Sequence, residues 1–328
     1  MFLLEVREVA KNHAGGDYAN TISFSLLKGQ KLAIAGETGS GKTTLLKLIA
    51  GLLEPNTGSV YFNGERVVMP SEQLIPGHPK IAFLSQHFEL RNNYRVEELL
   101  DMARKIPEAR ANHIYKICQI EHLLARKTNQ ISGGEKQRIV LAQLLTTEPS
   151  LLLLDEPFSN LDKIHKQIMQ EVIADIAMHF DTTCILVSHD AADLLPWANR
   201  LLIIKDGIVI RDDNPDSIFY APSNEYEAEL LGTCNCISAA MFPAITTLVA
   251  HANIEQQIFI RPSQIVLEKP ATEGLQGKVI GVLFMGNYYM VQVQLDGLVL
   301  QVASFEPRII VGETYTLRLR ENAKYHVL

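Results

Sequence analysis

The segment Gly36-Glu37-Thr38-Gly39-Ser40-Gly41-Lys42-Thr43 sets glycines, a lysine and a hydroxyl at the spacing G-x-x-x-x-G-K-[ST]. Glycines leave the backbone bare, so successive N–H groups can close around the oxygens of an anion. A helix that starts there adds the positive end of its dipole. In such a loop the lysine ammonium reaches the β- and γ-phosphates of a nucleoside triphosphate, and the Thr43 hydroxyl is a ligand for Mg²⁺. The pattern works only between a strand and a helix. The apolar run Lys31-Leu-Ala-Ile-Ala35 predicts a buried strand before it, and Thr44-Leu-Leu-Lys-Leu-Ile-Ala50 predicts a helix with an apolar stripe after it.

Two further segments carry chemistry. In Leu151-Leu-Leu-Leu-Asp155-Glu156-Pro157, four apolar residues end in two acids. This predicts a buried strand that delivers carboxylates to the edge of a sheet where ligands bind in open α/β folds. There Asp155 would hold Mg²⁺, directly or through water, and Glu156 would polarise an attacking water as general base. In Ile131-Ser132-Gly133-Gly134-Glu135-Lys136-Gln137-Arg138, a Ser-Gly-Gly run enters a helix. It offers a second anion-receptive N-terminus, or Ser132 simply caps the helix.

These residues need a scaffold, and the chain is long enough for one large and one small domain. It has 328 residues, 47% hydrophobic and 20% charged, with a net charge of -7. A negative balance without a basic face argues against a nucleic-acid partner. Four scattered cysteines (Cys118, Cys184, Cys234 and Cys236) predict reduced thiols; with no second Cys-x-Cys pair, a zinc site is not expected. The sequence has no apolar run of membrane-spanning length and no signal-peptide pattern at its start, so a cytoplasmic protein is expected, with any membrane role coming through a partner.

Residues 1 to about 220 alternate β-branched runs with amphipathic stretches, the texture of an α/β domain with a largely parallel sheet. Strands are predicted at Lys31–Ala35, Ile81–Leu84, 151–154, 184–188 and 201–205, with a helical insertion over 96–126. Pro215, Pro222 and Ser223 mark the end of this domain. From about 256 the pattern changes to alternation. Val291-Gln-Val-Gln-Leu295, Asp296-Gly297 and Leu298-Val-Leu-Gln-Val302 read as a hairpin with a two-residue turn, in a small β-barrel-type domain.

Taken together and in order, the phosphate loop at 36–43, Gln86, the segment 131–135, the strand ending in Asp155 and Glu156, Ser159-Asn160-Leu161-Asp162, and Val187-Ser188-His189-Asp190 resemble the nucleotide-binding subunit of an ABC transporter. The resemblance implies a P-loop domain of ABC type over 1–222 with a helical subdomain at about 87–135, a connector at 223–255 and a small all-β domain at 256–328. It implies binding and hydrolysis of ATP with Mg²⁺. Gly36, Glu37, Thr38, Gly39, Ser40, Gly41, Lys42, Thr43 and Thr44 would wrap the phosphates. Thr43, Gln86 and Asp155 would lie at the metal, and Glu156, His189 and Gln86 would serve catalysis. Ser132 and Gly134 would close on a nucleotide held by a second copy, and Asp162 would lie on that interface. At the position of the family's adenine-stacking aromatic stands His13, with Tyr18 nearby as a substitute. Glu135 stands where the family usually has glutamine, and Ile131 where leucine is commoner.

The C-terminal third resembles a TOBE domain, an oligonucleotide-binding-like barrel appended to importer ATPases for sulfate, molybdate, ferric iron, polyamines and maltose. The residues that carry this are 216–222, 231–235, Ile260-Arg261-Pro262 and the run from Gly277 to Gly286. This implies an importer subunit at the inner face of the cell membrane. It would work as a homodimer with transmembrane permease subunits, indirectly with an external solute-binding protein, and without nucleic acid. An export or lipoprotein-release ATPase is the alternative, to which Glu135 leans. A non-transport ABC ATPase is another; such proteins carry coiled coils, zinc modules or tandem ATPase domains, and this sequence shows none of them.

Overall fold

A computed structural model describes residues 1–11, 21–86, 90–180, 182–240, 248–249, 256–270, 274–295 and 297–328. The chain forms two compact units, Met1–Pro215 and Asp216–Leu328.

The N-terminal unit contains two sheets. The first comprises β1 (Leu4–Ala10), β2 (Ile22–Leu26), β4 (Thr57–Phe62) and β5 (Glu65–Arg66), antiparallel in the order β2-β1-β4-β5. The second is built from β3 (Lys31–Ala35), β6 (Ile81–Leu84), β7 (Leu151–Asp155), β8 (Thr183–Val187), β9 (Arg200–Lys205) and β10 (Ile208–Asp213). Its order is β10-β9-β3-β8-β7-β6; all neighbours run parallel except β10 and β9. The expected largely parallel sheet is therefore present. Every residue of β7 and of β8 is buried, as continuous apolar runs require when both faces of a parallel strand are covered. The antiparallel sheet went unforeseen, because its short alternating strands mix polar and apolar residues too evenly to stand out.

Helix α1 (Lys42–Ile49) shares its core with both sheets. Leu45, Leu46 and Ile49 share one core with Leu4 and Val6 of β1, Ile34 of β3, Leu153 of β7 and Val187 of β8. At about 1.5–3 kcal/mol for each large apolar side chain taken out of water, this core fixes α1, and with it the phosphate loop. The helical stretch after β6 holds α2 (Val96–Ala103) and α3 (Glu108–Ile117), followed by α4 (Gly133–Leu145). Helix α5 (Lys163–His179) buries Met169, Val172, Ile173 and Ile176, the i, i+3, i+4, i+7 stripe of an amphipathic helix, and the short α6 (Ala191–Leu194) follows β8.

The C-terminal unit opens on two short helices, α7 (Pro215–Tyr220) and α8 (Glu225–Leu230). The buried Arg261 guanidinium ties them to the strands of this unit, donating to the carbonyls of Phe219, Ala228, Gly232 and Thr233. Three strands, β11 (Asn235–Ser238), β12 (Gln257–Ile260) and β18 (Tyr325–Val327), make one antiparallel sheet. Five more, β13 (Ile265–Glu268), β14 (Leu275–Phe284), β15 (Tyr289–Leu295), β16 (Leu298–Ser304) and β17 (Thr314–Leu319), make another, in the order β13-β17-β14-β15-β16. The expected hairpin is there, with Leu295 opposite Leu298. One core joins the two sheets through Ile258, Ile260, Val279, Val291, Val293 and Leu317.

Candidate nucleotide-binding site

The site gathers at the C-terminal ends of the parallel strands, where ligands lie in open α/β sheets. The phosphate loop follows β3, Gln86 follows β6, Asp155 and Glu156 end β7, His189 follows β8, and Gly207 turns between β9 and β10. The loop from Thr38 to Thr44, with Gln86, Glu156, His189 and Gly207, lines a cleft of about 560 Å³, and Asp155 lies next to it through its bond with Thr43.

The loop is held open from within. Lys42 is buried, and its ammonium donates to the carbonyls of Gly36 and Glu37, each at 2.7 Å. Burial pushes the Lys42 pKa below its ordinary value, against the pull of Glu156, Asp155 and Glu37. Gly36 has φ +156°, and a Cβ there would stand 2.2 Å from the Ile204 carbonyl oxygen. The close approach of β9 thus dictates this glycine. Gly39 and Gly41 have φ +89° and +98°, which turn the backbone into the start of α1.

Thr43 and Asp155 meet over the loop: the Thr43 hydroxyl donates to Asp155 Oδ1 at 3.0 Å. A hydroxyl and a buried carboxylate side by side form the hard oxygen set that suits Mg²⁺, so the residues present fit that ion.

Glu156 and His189 lie 33 positions apart in sequence, and His189 Nδ1 stands 2.7 Å from Glu156 Oε2. A proton on Nδ1 would complete this contact and leave Nε2 for another partner. The carboxylate is sheltered at 13% exposure while the imidazole is 66% exposed. Glu156 has φ +50°, a left-handed backbone rare for a residue with a side chain. Its N–H donates to the Val187 carbonyl, and its own carbonyl accepts from the Ser159 backbone and hydroxyl. Such backbone strain persists where the surroundings over-determine it, and it concentrates at functional sites.

The segment carrying His189 is fastened to α5. Lys166 Nζ bridges Asp190 at 2.9 Å and Asp193 at 2.8 Å, and the Ser188 hydroxyl donates to the buried Asp193 carboxylate. Sequence reasoning passed over Lys166 and Asp193, which resemble any solvated pair until the fold brings α5 beside α6. It also passed over Lys11 and Gly207, which line the cleft from outside any phosphate motif.

Ser132, Gly134 and Asp162 are not among the residues lining this cleft. Ser132 caps α4. Its hydroxyl accepts from the Glu135 N–H, while Glu135 Oε2 accepts from the Ser132 N–H at 2.7 Å, a reciprocal capping box. Glu135 therefore turns its charge back onto its own helix. Asp162 caps α5 through the Ile164 and His165 N–H groups, and its other oxygen meets His165 Nδ1 at 2.6 Å. The His165 ring packs on Gly134, where an added Cβ would come within 2.9 Å of it. His13 and Tyr18 lie outside the described residues.

The family profile described as ABC transporter matches residues 19–159, and that described as TOBE domain matches 258–327. The Fe(3+) ions import ATP-binding protein FbpC of Photobacterium profundum is 30% identical over 308 residues, covering 88% of this chain and 86% of that protein. The chain belongs to the ABC transporter ATP-binding subunits. It is an ATPase of this family, with the TOBE domain as its C-terminal part. The putrescine transport ATP-binding protein PotG of Escherichia coli is also similar, 29% identical over 89% of this chain and 84% of its own. Among solved structures, cbiO1 from Clostridium perfringens, part of the ABC transporter complex cbiONQ, superposes with a TM-score of 0.59 at 26% identity. That match covers 66% of this chain and 90% of the other. As an ABC ATP-binding subunit, the chain binds ATP.

Proposed function

We propose that this ABC subunit powers an importer, and that two copies enclose two ATP molecules and drive a pair of permease subunits between inward- and outward-facing states. The observation that carries the hydrolytic part is the 2.7 Å contact of His189 with Glu156 above the phosphate loop. In this reading Lys42 and the loop N–H groups hold the β- and γ-phosphates. Glu156 orients the attacking water and takes its proton, while His189 keeps that carboxylate in place and presents its free nitrogen to the γ-phosphate. Thr43 and Asp155, with Gln86 at the cleft edge, would hold Mg²⁺, which when bound neutralises charge on the phosphates.

The dimer rests on incompleteness. The N-terminus of α4, with exposed Ser132 and Gly133, and the exposed cap Asp162 lie outside the cleft. In the proposed pair, Ser132 and Gly134 face the γ-phosphate held by the other copy, and Asp162 lies on the shared interface. No helix among the described residues is long and apolar enough to cross a membrane, which supports attachment at the inner face through permease partners, with an external binding protein upstream. Relatives of nearly equal identity are named for putrescine and for iron, which supports a division in which the partners select the solute.

Glu156→Gln is the test. ATP binding should persist, turnover should fall about 10²–10⁴-fold, and an ATP-dependent dimer should accumulate on size exclusion. Wild-type turnover in that variant removes Glu156 from the proposed role.

A further inference from the structure

The first turn of α5 touches both segments that the proposed pairing sends to a second copy. Asp162 caps the helix with Oδ1, which accepts from the Ile164 and His165 N–H groups, each at 3.0 Å. Its Oδ2 stands 2.6 Å from His165 Nδ1. The His165 N–H and then its ring hold the Asp162 carboxyl below its ordinary value, so it is ionised near neutral pH, and a proton on Nδ1 would complete the contact.

The other side of the same ring meets α4. A Cβ added at the buried Gly134 would lie 2.9 Å from His165 Cδ2 and 3.1 Å from its Cβ and Cγ. Nδ1 and Cδ2 branch from Cγ in opposite directions, so one imidazole has Asp162 on one edge and Gly134 on the other. Gly134 lies inside α4 without a left-handed backbone, so within this subunit its bareness answers to the ring and not to a turn. The capping box of Ser132 with Glu135 is internal to α4 and does not set where the helix start stands against α5. The His165 ring supplies that tie. Donors aimed at charge on a phosphate act from a pre-set position, and a misplacement of about 1 Å costs on the order of 10²-fold.

We propose that His165 is a positioning residue of an ATP site shared between two copies: it locks the α4 start and Asp162 into one piece, so that Ser132 and Gly134 reach the nucleotide of the second copy at a fixed offset from Asp162. This rests on the proposed pairing. His165 does not line the cleft of its own subunit, so it acts through Gly134 and Asp162. The next residue, Lys166, grips Asp190 and Asp193 beside His189. The same helical turn thus holds the elements offered to the second copy and the segment that serves its own cleft. The Asp162 side chain is 64% exposed and that of His165 32%, and an ion pair so open to water adds little to stability. Its loss should therefore show in turnover and not in folding.

ATP turnover of the full chain is the measurement. His165→Phe keeps a ring beside Gly134 and removes Nδ1. At saturating ATP its kcat should fall about tenfold, while the ATP affinity of the isolated subunit and the melting temperature stay at wild-type values. His165→Asn, whose amide nitrogen takes the place of Nδ1, should recover most of that loss. In the Glu156→Gln background, His165→Phe should raise the subunit concentration needed for the ATP-dependent dimer by about tenfold, which reads the tie without turnover. Losses of ATP affinity and melting temperature in step with kcat would make His165 a packing residue and overturn the proposal, as would His165→Asn turning over as slowly as His165→Phe. Ser132→Ala separates this role from the pairing itself. If Ser132→Ala lowers turnover and His165→Phe does not, the pairing stands and the role of His165 falls; if neither lowers it, both fall.

Discussion

The chain begins two helices on glycine-rich anion motifs, and they are in opposite conditions. At the start of α1, the loop over 36–43 is walled by the ends of five strands and tied inward by Lys42. At the start of α4, Ser132 and Gly133 are exposed, and the hydroxyl and N–H of Ser132 are spent on a capping box with Glu135. One cradle is complete within its subunit. The other lies outside that cleft. Both are Gly-rich helix starts in sequence; their surroundings separate a loop that lines a cleft from a helix start that lies outside it. Gly134, pressed against His165, and Asp162, bonded to His165, link this second surface to α5. Through Lys166, α5 in turn holds the segment that carries His189.

That contrast can be broken first at its strong side. Lys42→Ala removes the ammonium that braces the loop and that, in the proposed function, faces the phosphates. ATP affinity of the isolated subunit should fall by about 10²-fold or more, roughly 3 kcal/mol, measured by calorimetry. Unchanged affinity would show that the backbone cradle alone suffices. Gly36→Ala acts on the same loop without touching charge. Its Cβ meets the Ile204 carbonyl at 2.2 Å, so loop or strand must move, at an expected loss of about 1–3 kcal/mol in stability by denaturant titration.

The incomplete side should respond differently. Ser132→Ala should leave ATP binding to the isolated subunit unchanged, yet lower turnover by about 10²-fold if the α4 terminus meets the γ-phosphate of a second copy. Equal loss of binding and turnover would instead place Ser132 in its own subunit's site.

The smallest effect belongs to the capping box. Glu135→Ala should cost about 1 kcal/mol at neutral pH. The Glu135 carboxyl is held below its ordinary value, mainly by the Ser132 N–H. A lowered folded-state pKa means the contribution is full above the ordinary carboxylate value and is lost as pH falls through the lowered one. The melting difference between wild type and variant should therefore shrink on acidification through that window. A difference independent of pH would assign the stabilisation to something other than the charge.

Much of this was legible in one dimension. Glycine spacing at 36–43 and four leucines before Asp155 are local patterns, and the backbone that satisfies each is nearly unique: a bare turn between strand and helix, and a strand buried on both faces. The strands Lys31–Ala35 and Ile81–Leu84 lie where the sequence puts them, and the turn between Leu295 and Leu298 joins the expected hairpin. The order of the motifs also carried the family, through a resemblance that the matched profiles bear out. What the sequence left open depends on pairings between distant residues. The antiparallel sheet of β1, β2, β4 and β5, the Glu156–His189 contact, the grip of Lys166 on Asp190 and Asp193, and the places of Lys11 and Gly207 at the cleft all arise when segments far apart in the chain are packed together. Local spacing determines which groups a chain can offer to a phosphate. Only the tertiary structure decides which of them share one cleft, because their proximity comes from burying the apolar faces between them.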